Sequence, residues 1–184
     1  MKSPDEQTLR EPKAPTQENQ VTDAPAWWRG AQGEYWVVGQ GIALLGFAVL
    51  PVYPNLGIDL TATPWLYFRW AGLIGFGAIA AVFLFKGVLD LGKSLTPLPY
   101  PVEEGQFVQT GVYGVVRHPL YSGLILAALG WSLYWLSGAH FLGAIALLLF
   151  FDAKARTEES WLLQKYPEYA DYRQRVKKLL PWIY

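Results

Sequence analysis

Three clusters of reactive side chains stand out in a chain with few polar residues. The first is Arg117-His118-Pro119, with Tyr113 before it and Tyr121 after it. Pro suits the first turn of a helix, where its missing N–H would have no partner anyway. A helix starting at Pro119 would open with free backbone donors and a positive dipole end beside the Arg117 guanidinium. That set suits an anion, a carboxylate in particular. The plainer alternative makes Arg117 a lipid-headgroup anchor and His118 a polar cap. The second cluster is Arg156-Thr157-Glu158-Glu159. On a helix, Asp152–Arg156 and Lys154–Glu158 are four residues apart and can pair, which accounts for Glu158 as a surface residue. Glu159 has only Arg156 close by, so it is the freer acid and can accept hydrogen bonds from an ammonium or a ribose. The third cluster is Tyr169, Tyr172 and Arg175 at helical spacing, closed by Val176 and Pro181. That row could cover a ligand.

Composition removes other chemistries. The 184 residues contain no Cys, which excludes disulfides, thiolate metal sites and a Cys nucleophile. His118 and His140 are the only histidines and flank opposite ends of one predicted helix, so no metal centre is expected. Fifteen basic and fifteen acidic side chains cancel, leaving no global field to attract nucleic acid. Gly72, Gly75 and Gly77 faintly mimic a phosphate loop, but they lie in an apolar run with no preceding strand and suit close helix packing better.

The elements that must position these clusters look membrane-embedded. Hydrophobic residues are 52% of the chain and charged ones 16%, against roughly 25% charged in soluble domains. Residues 1–26 are polar and Pro-punctuated, and read as a disordered tail rather than a signal peptide. Residues 27–90 hold two apolar runs, 35–53 and 65–85, with aromatic ends that suit spanning helices. Pro51 and Pro54 mark the exit of the first. Arg69 sits within a turn of the second run's start, where it can snorkel. Residues 91–184 carry the three clusters. A Pro-alternating stretch, 96–101, must be extended, and the apolar residues after it, Phe107 to Val116, argue for burial. The uncharged run 119–151 is too long for one span and short for two at about 20 residues each. It predicts a turn at Ser137-Gly138 and a fourth helix that continues out of the membrane past Asp152. Residues 166–180 show helical apolar spacing, predicting an amphipathic helix on an anionic leaflet. The expected fold is therefore all-α: a bundle of about four transmembrane helices with a C-terminal amphipathic helix. Lys86, Lys93, Arg117 and the basic C-terminal segment share one end, and Arg69 stands at the other. The positive-inside rule then puts both termini in the cytoplasm.

Gly111, Tyr113, Arg117-His118-Pro119, Tyr121 and Gly123, then an apolar hairpin, then Glu158-Glu159, then Tyr169, Tyr172, Arg175-Val176 and Pro181 form an ordered pattern. Over residues 91–182 it resembles the isoprenylcysteine carboxyl methyltransferase family, with its related phospholipid and small-thiol methyltransferases. The resemblance implies S-adenosylmethionine in a cytoplasmic-side pocket closed by the C-terminal segment, and a lipophilic acceptor entering from the bilayer. By that resemblance His118, Tyr121 and Glu159 match cofactor-pocket positions, with Tyr113 and Arg117 beside them. Glu158, Tyr169 and Tyr172 join them as cofactor-side candidates. Arg175 matches the arginine near the methyl acceptor and is the catalytic candidate, with a carboxylate acceptor in view. Lys177 follows Val176 where many prenylcysteine enzymes have Pro, so the resemblance implies methyl transfer but does not fix prenylcysteine as the acceptor. A sparse polar set suits this chemistry, since a sulfonium donor is already activated and neither a protein nucleophile nor a metal is needed. The competing expectations are an NADPH-dependent membrane reductase of the sterol-reductase type and a non-enzymatic membrane scaffold.

Overall fold

The computed structural model describes residues 32–52, 63–102 and 104–184. The expected tail, 1–26, and the exit turn at Pro54 lie outside the described residues. The regular structure among the described residues is helical: α1 (Glu34–Ala48), α2 (Thr63–Leu91), α3 (Pro119–Trp135), α4 (Gly138–Lys165) and α5 (Tyr169–Arg175). Among the described residues there is no strand beyond one isolated parallel bridge, Val116 to Lys177. The segments around α2 and α4 are each long and apolar enough to cross a membrane. α1 and α3 are shorter, at 15 and 17 residues.

The apolar residues face outwards. Ile42 and Leu45 of α1, Ile74 and Phe85 of α2, and Leu142 and Leu149 of α4 are all exposed. Water would not tolerate so much apolar surface, whereas lipid requires it. Polar groups point inwards instead: Ser132 and His140 are buried and bonded within the bundle, to the Ala128 carbonyl and the Ser137 hydroxyl. The protein is an integral membrane protein. Its main seam is α2 against α3, and small residues let the two backbones approach. A Cβ on Gly123 would stand 2.7 Å from Leu84, and one on Gly87 2.8 Å from Leu120. Gly72 meets Leu133, whereas Gly75 and Gly77 face open space, so close packing explains only the first of that trio.

Three expectations change on folding. Arg69 does not snorkel but is buried. It donates to the Tyr134 carbonyl and lies 4.6 Å over the Tyr134 ring, satisfying the carbonyl end of α3. The hairpin turns at Leu136, in the left-handed region at φ 45°, with Ser137 capping α4. The C-terminal helix is only Tyr169–Arg175, and both its tyrosines are buried in the protein rather than laid on a leaflet. Pro167 interrupts the helical pattern at one end. At the other end the chain becomes extended at Val176, because the carbonyls of Lys177 and Lys178 are used elsewhere.

Candidate functional site

Those carbonyls meet the start of α3. Arg117 N–H donates to Lys177 O at 2.8 Å and His118 N–H to Lys178 O at 3.1 Å, and the Ser122 hydroxyl donates to Leu179 O at 2.6 Å. The backbone donors expected to be free at the helix mouth are thus partly consumed by the chain's own C-terminal segment. Leu179 anchors that segment, fully buried among Ile125, Leu147 and Phe151. The mouth is therefore clamped between α4 and residues 176–179, and its side chains are fixed.

α4 delivers the two acids in different directions. Glu159 Oε1 accepts the Arg117 Nε–H at 2.8 Å and lies 3.0 Å from His118 Nε2, all three side chains being buried. Arg117 also donates to the Arg173 and Val176 carbonyls. Glu158 accepts the Tyr121 hydroxyl at 2.8 Å, lies 3.6 Å from His118 Nδ1 and keeps 27% of its side chain exposed. The sequence expectation had these reversed. Glu158 was to be paired with Lys154, but Lys154 turns instead to Gln40 and the Pro97 carbonyl. Glu159 was to be the freer acid, yet it is locked by partners some forty residues earlier, while Arg156 pairs with Asp152 as expected.

A cavity opens on this cluster. Tyr113, Arg117, His118, Tyr121, Glu158, Tyr169 and Tyr172 line it, and residues of the Pro-rich stretch 94–102 and of 105–108 roof it. Glu159 stands behind the wall. Arg175 is not brought in: it is exposed, with Nη2 3.5 Å from Gln109 Oε1. The walls are aromatic. His118 and Tyr121 stack with rings 5.4 Å apart, and Phe107 touches Tyr166, Tyr169 and Tyr172 at 5.2–5.4 Å. The sequence predicts burial for Phe107 but does not assign it, Tyr166 or the Pro-rich loop to the site; the signal was the apolar character of that loop. Burial pushes the hydroxyls of Tyr113, Tyr169 and Tyr172 well above the usual phenol range, so they remain protonated donors. The Tyr172 hydroxyl donates to the Tyr113 carbonyl at 2.6 Å. The Tyr169 hydroxyl has no hydrogen-bond partner among the described residues, although its side chain is buried. Buried polar groups are rarely left unpaired, and this one belongs to a cavity wall.

The lining suits a small molecule with an aromatic part and a few polar handles. Residues 68–169 match the family described as phospholipid methyltransferase. Over 93 residues the chain is 32% identical to methanethiol S-methyltransferase 1 of Bradyrhizobium diazoefficiens, covering 50% of this chain and 30% of that one. Over 150 residues it is 27% identical to a probable protein-S-isoprenylcysteine O-methyltransferase of Oryza sativa, covering 78% and 77%. The structure of a eukaryotic intramembrane Ras methyltransferase, isoprenylcysteine carboxyl methyltransferase, shares the fold at TM-score 0.58 and 21% identity, over 82% of this chain and 53% of that one. The chain spans 30–37% of the length of the curated relatives it matches first.

Proposed function

The chain belongs to the phospholipid methyltransferase family, and on that premise we propose that it is an S-adenosylmethionine-dependent methyltransferase acting on a lipophilic or membrane-delivered acceptor. The observation that carries the reading is the unpaired Tyr169 hydroxyl in an aromatic cavity that also presents the Glu158 carboxylate. The residues fit the cofactor. Tyrosine rings suit an adenine and a sulfonium cation. A carboxylate suits a ribose diol or an ammonium, and an unpaired phenol supplies one more donor. When bound, S-adenosylmethionine supplies a methyl group already activated by positive sulfur. The protein's own tasks are to hold the donor through Tyr169 and Glu158, keep the His118–Tyr121 wall rigid and exclude water beneath the roof.

In this reading four helices cross the bilayer and the cavity opens at the basic, cytoplasmic end with both termini. Lys86, Lys93, Arg117, Lys177 and Lys178 support that orientation, against Arg69 at the far end. A carboxylate acceptor would have to draw Arg175 in from the rim, because Arg117 is already committed to Glu159.

Calorimetry of the detergent-solubilised protein against S-adenosylhomocysteine and NADPH side by side tests the reading. Binding of the first alone is expected. Binding of NADPH alone would replace methyl transfer with reduction, and binding of neither would favour a scaffold. A single-turnover profile with radiolabelled donor and membrane extract then identifies the acceptor. A carboxylate gives a rate nearly flat from about pH 7 to 9 and a base-labile ester, whereas a thiol or amine gives roughly tenfold per unit below its own pKa.

A further inference from the structure

Lys154 is 1% exposed, the most deeply buried Lys or Arg among the described residues. It makes no ion pair with Asp or Glu among those residues. Its ammonium is instead held by neutral groups from three other elements. It donates to Gln40 Oε1 of α1 at 2.5 Å and to the Pro97 carbonyl of the roof at 3.2 Å, and it lies 5.3 Å from the centre of the Tyr121 ring. The Glu158 carboxylate acts on it at longer range, but no counter-ion among the described residues touches it. An enclosed cation without a contacting counter-ion is costly, and an apolar side chain would fill the space at less cost. Stability alone therefore does not explain its presence.

What the three contacts share is the cavity. Pro97 lies in the roof between the cavity-lining residues Thr96 and Leu98, and Tyr121 is a cavity wall. α1 lines none of the cavity, and it precedes the stretch that matches the family. It nevertheless touches the roof at a second point. Gly33, which caps α1 at φ 84°, is so close to Pro99 that a Cβ would stand 3.0 Å from that ring. A side chain there would be strained by its backbone angle and crowded by the roof.

We propose that Gln40 and Lys154 are positioning residues which fasten the cavity roof to α1 and to the back of Tyr121, so that α1 controls how tightly the site closes. The ligand part of this proposal rests on the methyltransferase reading; the closure part does not.

The test uses the 184-residue chain, which contains no Cys, with Leu98→Cys as a reporter in the roof. Gln40→Leu removes the acceptor with little change in size, and Gln40→Glu keeps an acceptor oxygen. Lys154→Met and Lys154→Arg form a second pair. Gln40→Leu is expected to raise the rate of maleimide labelling at position 98 and to weaken S-adenosylhomocysteine binding, each roughly three- to tenfold. Gln40→Glu should leave both close to the parent values. Lys154→Met should act as Gln40→Leu does, and Lys154→Arg should restore part of the loss. If Lys154→Met does not fold, the Gln40 pair decides alone. A lower melting temperature with unchanged labelling and affinity would overturn the proposal, because a purely structural junction moves only stability. If the parent protein binds no S-adenosylhomocysteine, the methyltransferase reading fails. The labelling arm still decides closure: a faster rate in Gln40→Leu upholds it, and an unchanged rate overturns it.

Discussion

Arg117 Nε and Glu159 Oε1 form a 2.8 Å ion pair in which the side chains are 7% and 5% exposed. The pair joins the mouth of α3 to α4 behind the cavity wall, and His118 shares the same carboxylate oxygen. The next acid back, Glu158, faces the cavity and holds the Tyr121 hydroxyl. Two adjacent carboxylates are thus divided between holding the site together and meeting what enters it.

That division predicts opposite outcomes for two single-atom changes. Glu159→Gln leaves the Arg117 guanidinium buried without its counter-charge and should cost about 3–5 kcal/mol of stability. Glu158→Gln should change stability little but weaken S-adenosylhomocysteine binding by about 1.5–3 kcal/mol, the usual worth of a hydrogen bond to a charged group. Thermal unfolding and calorimetry on both variants separate the two effects. Equal losses of stability in both would refute the division.

Tyr169→Phe deletes a hydroxyl that has no protein partner among the described residues. Removing a buried unpaired polar atom should leave the ligand-free protein as stable as before, or slightly more so. Ligand affinity should fall by about 1 kcal/mol. A destabilised ligand-free protein with unchanged affinity would show that the hydroxyl serves the fold instead.

Arg175→Ala should not alter binding of S-adenosylhomocysteine, because the side chain is exposed and its hydrogen bonds among the described residues go to Gln109 and its own helix. Its effect, if a carboxylate is the acceptor, belongs in kcat/KM for that acceptor. A large loss of cofactor-product affinity would contradict the separation of Arg175 from the cavity.

Gly123→Val tests the α2–α3 seam. The added Cβ would stand 2.7 Å from Leu84 Cγ, closer than real contacts allow. Overpacking of this kind costs about 1–3 kcal/mol. Gly75→Val, on the partner helix α2 but facing open space, should cost far less. Paired melting curves in detergent check the contrast.

Much of the molecule was legible in its sequence because apolar length and Pro placement act locally. The apolar runs, the Pro119 start of α3, the presence of a hairpin between α3 and α4 and the continuation of α4 through Asp152 follow from requirements of backbone and lipid that each segment meets by itself. The same locality identified the arginine, histidine, tyrosine and glutamate positions that converge on the cavity. It failed where partners come from distant elements. Lys154 and Glu158 are correctly spaced to pair along α4, but neighbouring elements offered each a different group: Gln40 and Pro97 to the lysine, Tyr121 to the glutamate. A segment with helical spacing at 176–179 left the helix, and its carbonyls at Lys177, Lys178 and Leu179 are taken up at the mouth of α3. Which of two adjacent acids faces a ligand depends on what stands across from each, and tertiary packing alone sets that. Spacing within a helix fixes which face a side chain takes; the charge and shape of the opposing element decide what it does there.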